Sequence, residues 1–296
     1  MKQRRLVVTG AGGMVGSYVP DVFADDELRL TDVVRGFEPL DVRDPSAVMT
    51  AVASTKPDVV LHLAAATDVD RCEQDPDWAF HTNAIGTQNV ALACQAFGAT
   101  LVYISTAGVF WGDKPEPYTE FDAPRPANLY GQSKLAGEQI VASLLSRYYI
   151  VRASWMVGGG PLDKKFVGKI VRLIGEGKQP LRVVNDKWGS PTFAKDLLMG
   201  IHRLLPTGYY GLYHMANPGS GSRYEVAQVV RDALQRPDVA ITPISSDEFP
   251  LPAPRARSEV LRNLKLDLLG LCRLRPWQEA VRDYVQREFA PMVTVR

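Results

Sequence analysis

Three short stretches carry residue types whose spacing suits shared chemistry. Tyr130 and Lys134, in Tyr130-Gly-Gln-Ser-Lys134, stand four apart, which on a helix puts a phenol and an ammonium on one face. A free phenol has a pKa of about 10, and a neighbouring cation favours phenolate, so such a tyrosine can exchange a proton nearer neutrality. Ser105-Thr106 closes the apolar run TLVYIS, where a hydroxyl can hydrogen-bond a substrate carbonyl oxygen. The competing role for Thr106 is closure of the strand end by a side-chain to backbone bond. The third stretch, TGAGGMVG from Thr9 to Gly16, has glycines at 10, 12, 13 and 16. After an apolar run and before a helical pattern, its N–H groups suit a dinucleotide pyrophosphate, the competing role being tight strand-to-helix packing. Its GxxGxxG spacing departs from GxGxxG. Asp32 lies about 20 residues further on, where a carboxylate receives a ribose 2′-hydroxyl and favours NAD. Arg35 suits a 2′-phosphate instead, so NADH and NADPH both stay open.

These residues need a frame that brings them to one crevice, and the first half of the chain alternates accordingly. Apolar runs at Arg5 to Thr9, Leu28 to Val34, Asp58 to Ala66, Thr100 to Ser105 and Tyr149 to Ala153 read as strands. Asp58 to Ala66 and Thr100 to Ser105 are continuous enough to be buried on both faces of a parallel sheet. Helical patterns cover Val15 to Phe23, Trp78 to Phe97 and Tyr130 to Ser146. Strand, helix, strand in repetition predicts an α/β fold, a doubly wound parallel sheet of Rossmann type, with ligands at the carboxyl ends of its strands. The division expected is 1–155 for a dinucleotide-binding domain and 156–296 for a smaller α/β substrate-binding part, some of whose elements return to the first. Pro237 to Pro254 is proline-rich and reads as a rigid ordered loop.

Composition excludes several functions. Of 296 residues, 34 are Lys or Arg and 33 Asp or Glu, and a net charge of +1 offers no basic field for nucleic acid or an anionic membrane. Bound anions must be met by local geometry. Cys72, Cys94 and Cys272 are odd in number and far apart, which argues for a reducing compartment and against a disulfide framework. His62, His81, His202 and His214 share no ligand spacing, so no metal is expected. The apolar run in MKQRRLVVTG is too short for a signal peptide, and no stretch of about 18 apolar residues occurs.

In their order, TGxxGxxG, Asp32, Leu63-Ala64-Ala65, Ser105-Thr106 and Tyr130-x-x-x-Lys134 resemble the extended short-chain dehydrogenase/reductase superfamily. Longer stretches, HLAAATDVDRCEQDPDWAFHTNAIGTQNVA, YGQSKLAGEQ, VRASWMVG, VVNDKWGSPT and FPLPAPRARSEVL, are similar to dTDP-4-dehydrorhamnose reductases over nearly the whole chain. The resemblance implies a cytoplasmic enzyme that uses NADPH or NADH to reduce the 4-keto group of a dTDP-linked 6-deoxyhexulose. Its partners would be that nucleotide sugar and a second copy in a homodimer, without nucleic acid or membrane. By the same resemblance Tyr130 protonates the nascent alkoxide and Thr106 binds the keto oxygen. Lys134 holds the nicotinamide ribose and depresses the Tyr130 pKa. Gly10, Gly12, Gly13, Met14, Val15 and Gly16 hold the pyrophosphate, Asp32 the adenosine ribose, and Leu63, Ala64 and Ala65 line the cofactor. Trp155 matches the tryptophan of the family's RTSW and lines the sugar or nicotinamide pocket, its competing role being a core aromatic. Trp188 packs a loop against the substrate, and Arg255 meets a phosphate.

The chain also departs from that pattern. Where the family reads STDYVF, this chain has Ser105-Thr106-Ala107-Gly108-Val109-Phe110, without the Asp and Tyr beside the sugar. Asp68-Val69-Asp70-Arg71 replaces AVDK, and Arg255-Ala256-Arg257-Ser258 lacks the family's proline and asparagine. Two alternatives follow: a nucleotide-sugar epimerase or dehydratase of the same superfamily, and a non-catalytic dinucleotide-binding regulatory subunit.

Overall fold

A computed structural model describes residues 3–289; the extreme ends of the two expected parts, residues 1–2 and 290–296, lie outside the described residues. Six strands in chain order are β1 (Arg5–Thr9), β2 (Glu27–Asp32), β3 (Glu38–Pro39), β4 (Val59–His62), β5 (Thr100–Thr106) and β6 (Tyr148–Ala153). With Gly211–His214 they form one seven-stranded sheet in the order Gly211–His214, β6, β5, β4, β1, β2, β3, every pair parallel. Order reverses between β1 and β4, so the crevice at their carboxyl ends is where a doubly wound sheet receives its ligand.

Helices cover both faces because the central strands are apolar on both sides. Leu6, Val8, Leu61 and Val102 pack toward the helix Ala194–Leu204, whereas Val7, Val60, Leu101 and Tyr103 pack toward Pro45–Thr55 and Gly86–Phe97. The helix Leu129–Leu144 lies on the second face beside Gly86–Phe97 and carries Tyr130 and Lys134. Asn128 caps it, its Oδ1 accepting from the Gly131 amide at 2.9 Å.

The second half builds its own core around Ile174, Val230, Trp277 and Tyr284, using the helices Phe166–Gly175, Arg223–Ala233 and Trp277–Glu288. Three short strands, Trp188–Gly189, Gly221–Ser222 and Ser258–Glu259, form a small sheet that carries site residues. Tyr18 ties the two halves, its hydroxyl accepting from the Gly159 amide at 2.8 Å.

Three elements differ from expectation. Val15 to Phe23 is a 3-10 turn, Gly16–Tyr18, followed by only four helical residues, Val19–Val22. Gly16 packs so tightly that a Cβ would lie 2.2 Å from the Ala11 carbonyl oxygen, and Pro20 removes a backbone donor. Trp78 to Phe97 is interrupted by a π-helical stretch, His81–Ile85, between Pro76–Phe80 and Gly86–Phe97. Within the proline-rich segment, Ile241–Ile244 is a strand paired in parallel with Leu181–Val184. Pro243 is accommodated because the pair is two-stranded and keeps an open edge.

Candidate active site

The glycine turn stands at the carboxyl end of β1. Gly10 has φ +71°, and a Cβ there would lie 2.5 Å from the Ala64 backbone nitrogen, so only glycine lets this turn approach the segment after β4. The Gly12 amide is spent on Asp32 Oδ2 at 2.8 Å and the Gly13 amide on the Gly10 carbonyl at 3.2 Å. The Met14 and Val15 amides bond to no described residue, which leaves two successive N–H groups free for a ligand. A cradle of that kind fits a pyrophosphate. The helix expected behind it is too short to supply a dipole, so free amides carry the argument.

Asp32 is buried at the end of β2. Besides Gly12, it accepts from the amides of Val33 at 2.6 Å and Val34 at 3.2 Å. It therefore holds the shape of the glycine turn, a role the sequence reading did not assign. Leu63, Ala64 and Ala65 follow β4 and are half-buried along the crevice.

Thr106 ends β5 and begins the 3-10 turn Ala107–Val109, its Oγ1 accepting from the Gly108 amide at 3.0 Å. The same side chain stands near enough to the Tyr130 phenol to oppose the rise in its pKa. Closure of the strand end and contact with the tyrosine are thus compatible. Gly131 brings the helix onto this turn, since a Cβ there would lie 2.1 Å from the Gly108 carbonyl oxygen.

Lys134 is buried on the same helix, one turn beyond Tyr130. Its Nζ lies 4.0 Å from the centre of the Tyr103 ring, a cation–π contact. Burial pushes its pKa down to about 7, against the opposing pull of Glu138. Burial pushes Tyr130 up to about 12, the neighbouring Thr106 side chain works against that rise, and the negative charge of Glu259 adds to it. The phenol is therefore held protonated, the state a proton donor requires.

Behind these groups a buried network fixes the helix to the sheet. Glu138 accepts from Arg152 Nε at 2.8 Å, from Arg152 Nη2 at 2.6 Å and from Ser105 Oγ at 2.5 Å. Asn83, from the π-helical stretch, accepts from the Ala66 amide at 2.8 Å and donates to the Ala66 carbonyl at 3.0 Å and to Ser133 Oγ at 2.9 Å. One amide side chain thus joins the post-β4 segment to the helix Leu129–Leu144. His62 sits between Thr9 Oγ1 at 2.7 Å and Thr87 Oγ1 at 3.1 Å, and burial pushes its pKa down to about 3, so it is neutral.

The far wall comes from the second half. Trp155 stands at φ +31°, a left-handed backbone that a bulky residue adopts only under constraint. Its Nε1 donates to Glu259 Oε2 at 2.6 Å, the Arg223 guanidinium lies 3.5 Å from its ring centre, and Gly189 packs against the ring. Trp188, next to Gly189, is 39% exposed at the rim. Arg255 is engaged elsewhere: Nη2 donates to Asp70 Oδ1 at 2.9 Å and Nη1 to the Ala253 carbonyl at 2.7 Å. That pairing leaves it less available to a phosphate than the sequence suggests. Among the described residues no group of His, Cys, Asp and Glu could hold a metal ion.

A model of the family described as RmlD substrate binding domain matches residues 4–289. The chain belongs to that family. Among relatives of this RmlD family, the dTDP-4-dehydrorhamnose reductase of Mycolicibacterium smegmatis is 39% identical over 95% of this chain and 85% of its own. Similar solved structures include the dTDP-4-dehydrorhamnose reductase of Bacillus anthracis in complex with NADP, with TM-score 0.90 and 38% identity over 95% of this chain and 98% of that one. The corresponding protein of Clostridium acetobutylicum has TM-score 0.90 and 37% identity, covering 96% and 99%.

Within this RmlD-family fold, sequence reasoning missed Asn83, Glu138, Arg223 and Glu259. Glu138 alone left a signal, being one turn beyond Lys134 on the same helix face. Arg223 follows Ser222, whose capping box with Glu225 marks a helix start, but nothing local shows that its side chain reaches Trp155.

Proposed function

We infer that this protein reduces the 4-keto group of a dTDP-linked 6-deoxyhexulose with a reduced nicotinamide dinucleotide. One observation carries the reading: the start of the helix that carries Tyr130 packs on the Thr106 turn at the carboxyl end of β5, one strand from the switch point. Family membership and the dTDP-4-dehydrorhamnose reductases above support it. The dinucleotide fits the chain's own residues, since Gly10, Gly13 and Gly16 admit close backbone approach and Met14 and Val15 offer free amides. When bound, the nicotinamide supplies the hydride.

The remaining steps belong to the protein. Thr106 Oγ and the Tyr130 hydroxyl receive the keto oxygen, and Tyr130 passes its proton to that oxygen as negative charge develops there. Lys134, buried beside Tyr103, meets a ribose hydroxyl in this reading, and burial that lowers its pKa to about 7 lets it be charged or neutral near neutrality. Gly12, Leu63, Ala64 and Ala65 border the dinucleotide, and Asp32 shapes its turn and faces the adenosine ribose. Trp155, Trp188 and Arg255 border the sugar side. The division proposed is a dinucleotide part, 1–155, and a substrate part, 156–296, whose strand Gly211–His214 completes the main sheet.

A cytoplasmic setting accords with buried free Cys72 and Cys94, and no helix among the described residues is long and apolar enough to cross a membrane. A homodimer is the proposed assembly, to be measured by sedimentation. The function itself is tested by mixing protein, NADPH or NADH and a dTDP-4-keto-6-deoxyhexose and following loss of the reduced nicotinamide's absorbance. Stoichiometric loss is expected. Tightly held NAD that is never consumed would instead make the protein an epimerase or dehydratase.

A further inference from the structure

In the second-half wall, an acid and a base stand close together without pairing. Glu259 Oε2 is occupied by the Trp155 indole, but Oε1 receives no hydrogen bond from any described residue. It borders the Ala107–Val109 turn: a Cβ on Gly108 would lie 3.6 Å from it. The Arg223 guanidinium stacks on Trp155 and lies 4.9 Å from the Phe166 ring centre, yet makes no hydrogen bond or ion pair among the described residues. The two charges sense each other, since Glu259 raises the Arg223 pKa, but no nitrogen–oxygen pair between them comes within 4.0 Å. Trp155 keeps them apart, with Glu259 on its indole edge and Arg223 over its ring.

Holding these groups half-buried and unjoined costs desolvation that a ligand must offset. An anion alone would be repelled by Glu259 and a cation alone by Arg223. A neutral group with adjacent hydroxyls satisfies both, donating to the carboxylate and accepting from the guanidinium. We propose that Glu259 and Arg223, spaced by Trp155, are the specificity-determining pair that binds neighbouring hydroxyls of the substrate's sugar ring. This rests on the nucleotide-sugar reading above and identifies where the ring is recognised. The carboxylate at Gly108 stands beside the turn in which this chain has Ala107 and Gly108 in place of the family's Asp and Tyr.

The test is calorimetric and does not depend on turnover. Binding of dTDP-rhamnose and of dTDP is compared for the cofactor-saturated wild type, Glu259→Gln and Arg223→Gln. The glutamine at 259 keeps an oxygen for the Trp155 indole. Wild type should bind dTDP-rhamnose at least about ten-fold more tightly than dTDP, and each variant should lose most of that advantage, with dTDP and NADPH affinities unchanged. An advantage retained in both variants, or absent from wild type, overturns the proposal. So does an equal loss for dTDP and dTDP-rhamnose in Arg223→Gln, which makes that arginine a diphosphate contact. A wild type that shows the sugar advantage yet reduces no keto sugar defeats the functional reading while this pair stands.

Discussion

Replacing Glu138 by glutamine separates the architecture of the site from its chemistry. Glu138 and Arg152 have side chains only 6% and 4% exposed, joined by two hydrogen bonds, with Ser105 donating a third to the carboxylate. Arg152 Nη1 is already buried without a partner, so the guanidinium depends on Glu138 for neutralisation. Removing one charge from such a pair costs about 3–5 kcal/mol, because the other is left buried and uncompensated. Against a total stability of roughly 5–15 kcal/mol, the variant still folds at low temperature, but its melting point should fall on the order of 6–20 °C. A second effect follows from charge. Glu138 raises the Lys134 pKa, so its loss should push that value below about 7 and move the lysine-dependent limb of the pH–rate profile downward. Glu138→Leu combined with Arg152→Leu should regain much of the stability without restoring the limb. Calorimetry and a pH series of nicotinamide consumption read both effects. A Glu138→Gln protein melting within about 2 °C of wild type, with an unmoved profile, would refute the reasoning.

Two further outcomes follow from the same structure. Gly16→Ala places a methyl 2.2 Å from the Ala11 carbonyl oxygen, so the glycine turn must shift. The expected result is a loss of about 1–3 kcal/mol in stability together with weakened NADPH binding, read by fluorescence titration. His62 and His214 are both held neutral, with pKa values pushed from 6.5 down to about 3 by burial. The unfolded chain binds more protons than the folded one between those limits. The stabilisation is therefore full above pH 6.5 and is lost as pH falls toward 3. Two such groups give a slope of about 2.7 kcal/mol per pH unit at most, to be checked by urea titrations from pH 7.5 to pH 5.5.

The parts of the fold legible in the sequence were those decided by burial on both faces. LVYI within TLVYIS and VVL within DVVLHL are unbroken apolar runs because β5 and β4 are central strands, and the Tyr130 helix shows its period because one side packs on the sheet. What stayed hidden was decided by distant partners. The π-helical break at His81–Ile85 lies where Asn83 engages Ala66 and Ser133, a constraint no local pattern reveals. Asp32 was visible as a carboxylate at a strand end, but its engagement with Gly12 depends on the folded turn. Arg255 was legible as a cation, whereas Asp70, which occupies it, lies 185 residues away. The same distance effect hid Glu259 and Arg223, brought together only by the small sheet of the second half.

The central claim is that Tyr130 delivers a proton to a keto oxygen while the carbon beneath receives hydride. Its most direct test uses NADPH deuterated at the transferring position of the nicotinamide, a dTDP-4-keto-6-deoxyhexose, and mass spectrometry of the recovered sugar for wild type and Tyr130→Phe. The account predicts one deuterium at sugar carbon 4 with wild type and, with Tyr130→Phe, a rate lower by about 10²–10⁴-fold at unchanged NADPH affinity. Label that stays in the nicotinamide, or a Tyr130→Phe protein that transfers it at full rate, would contradict it.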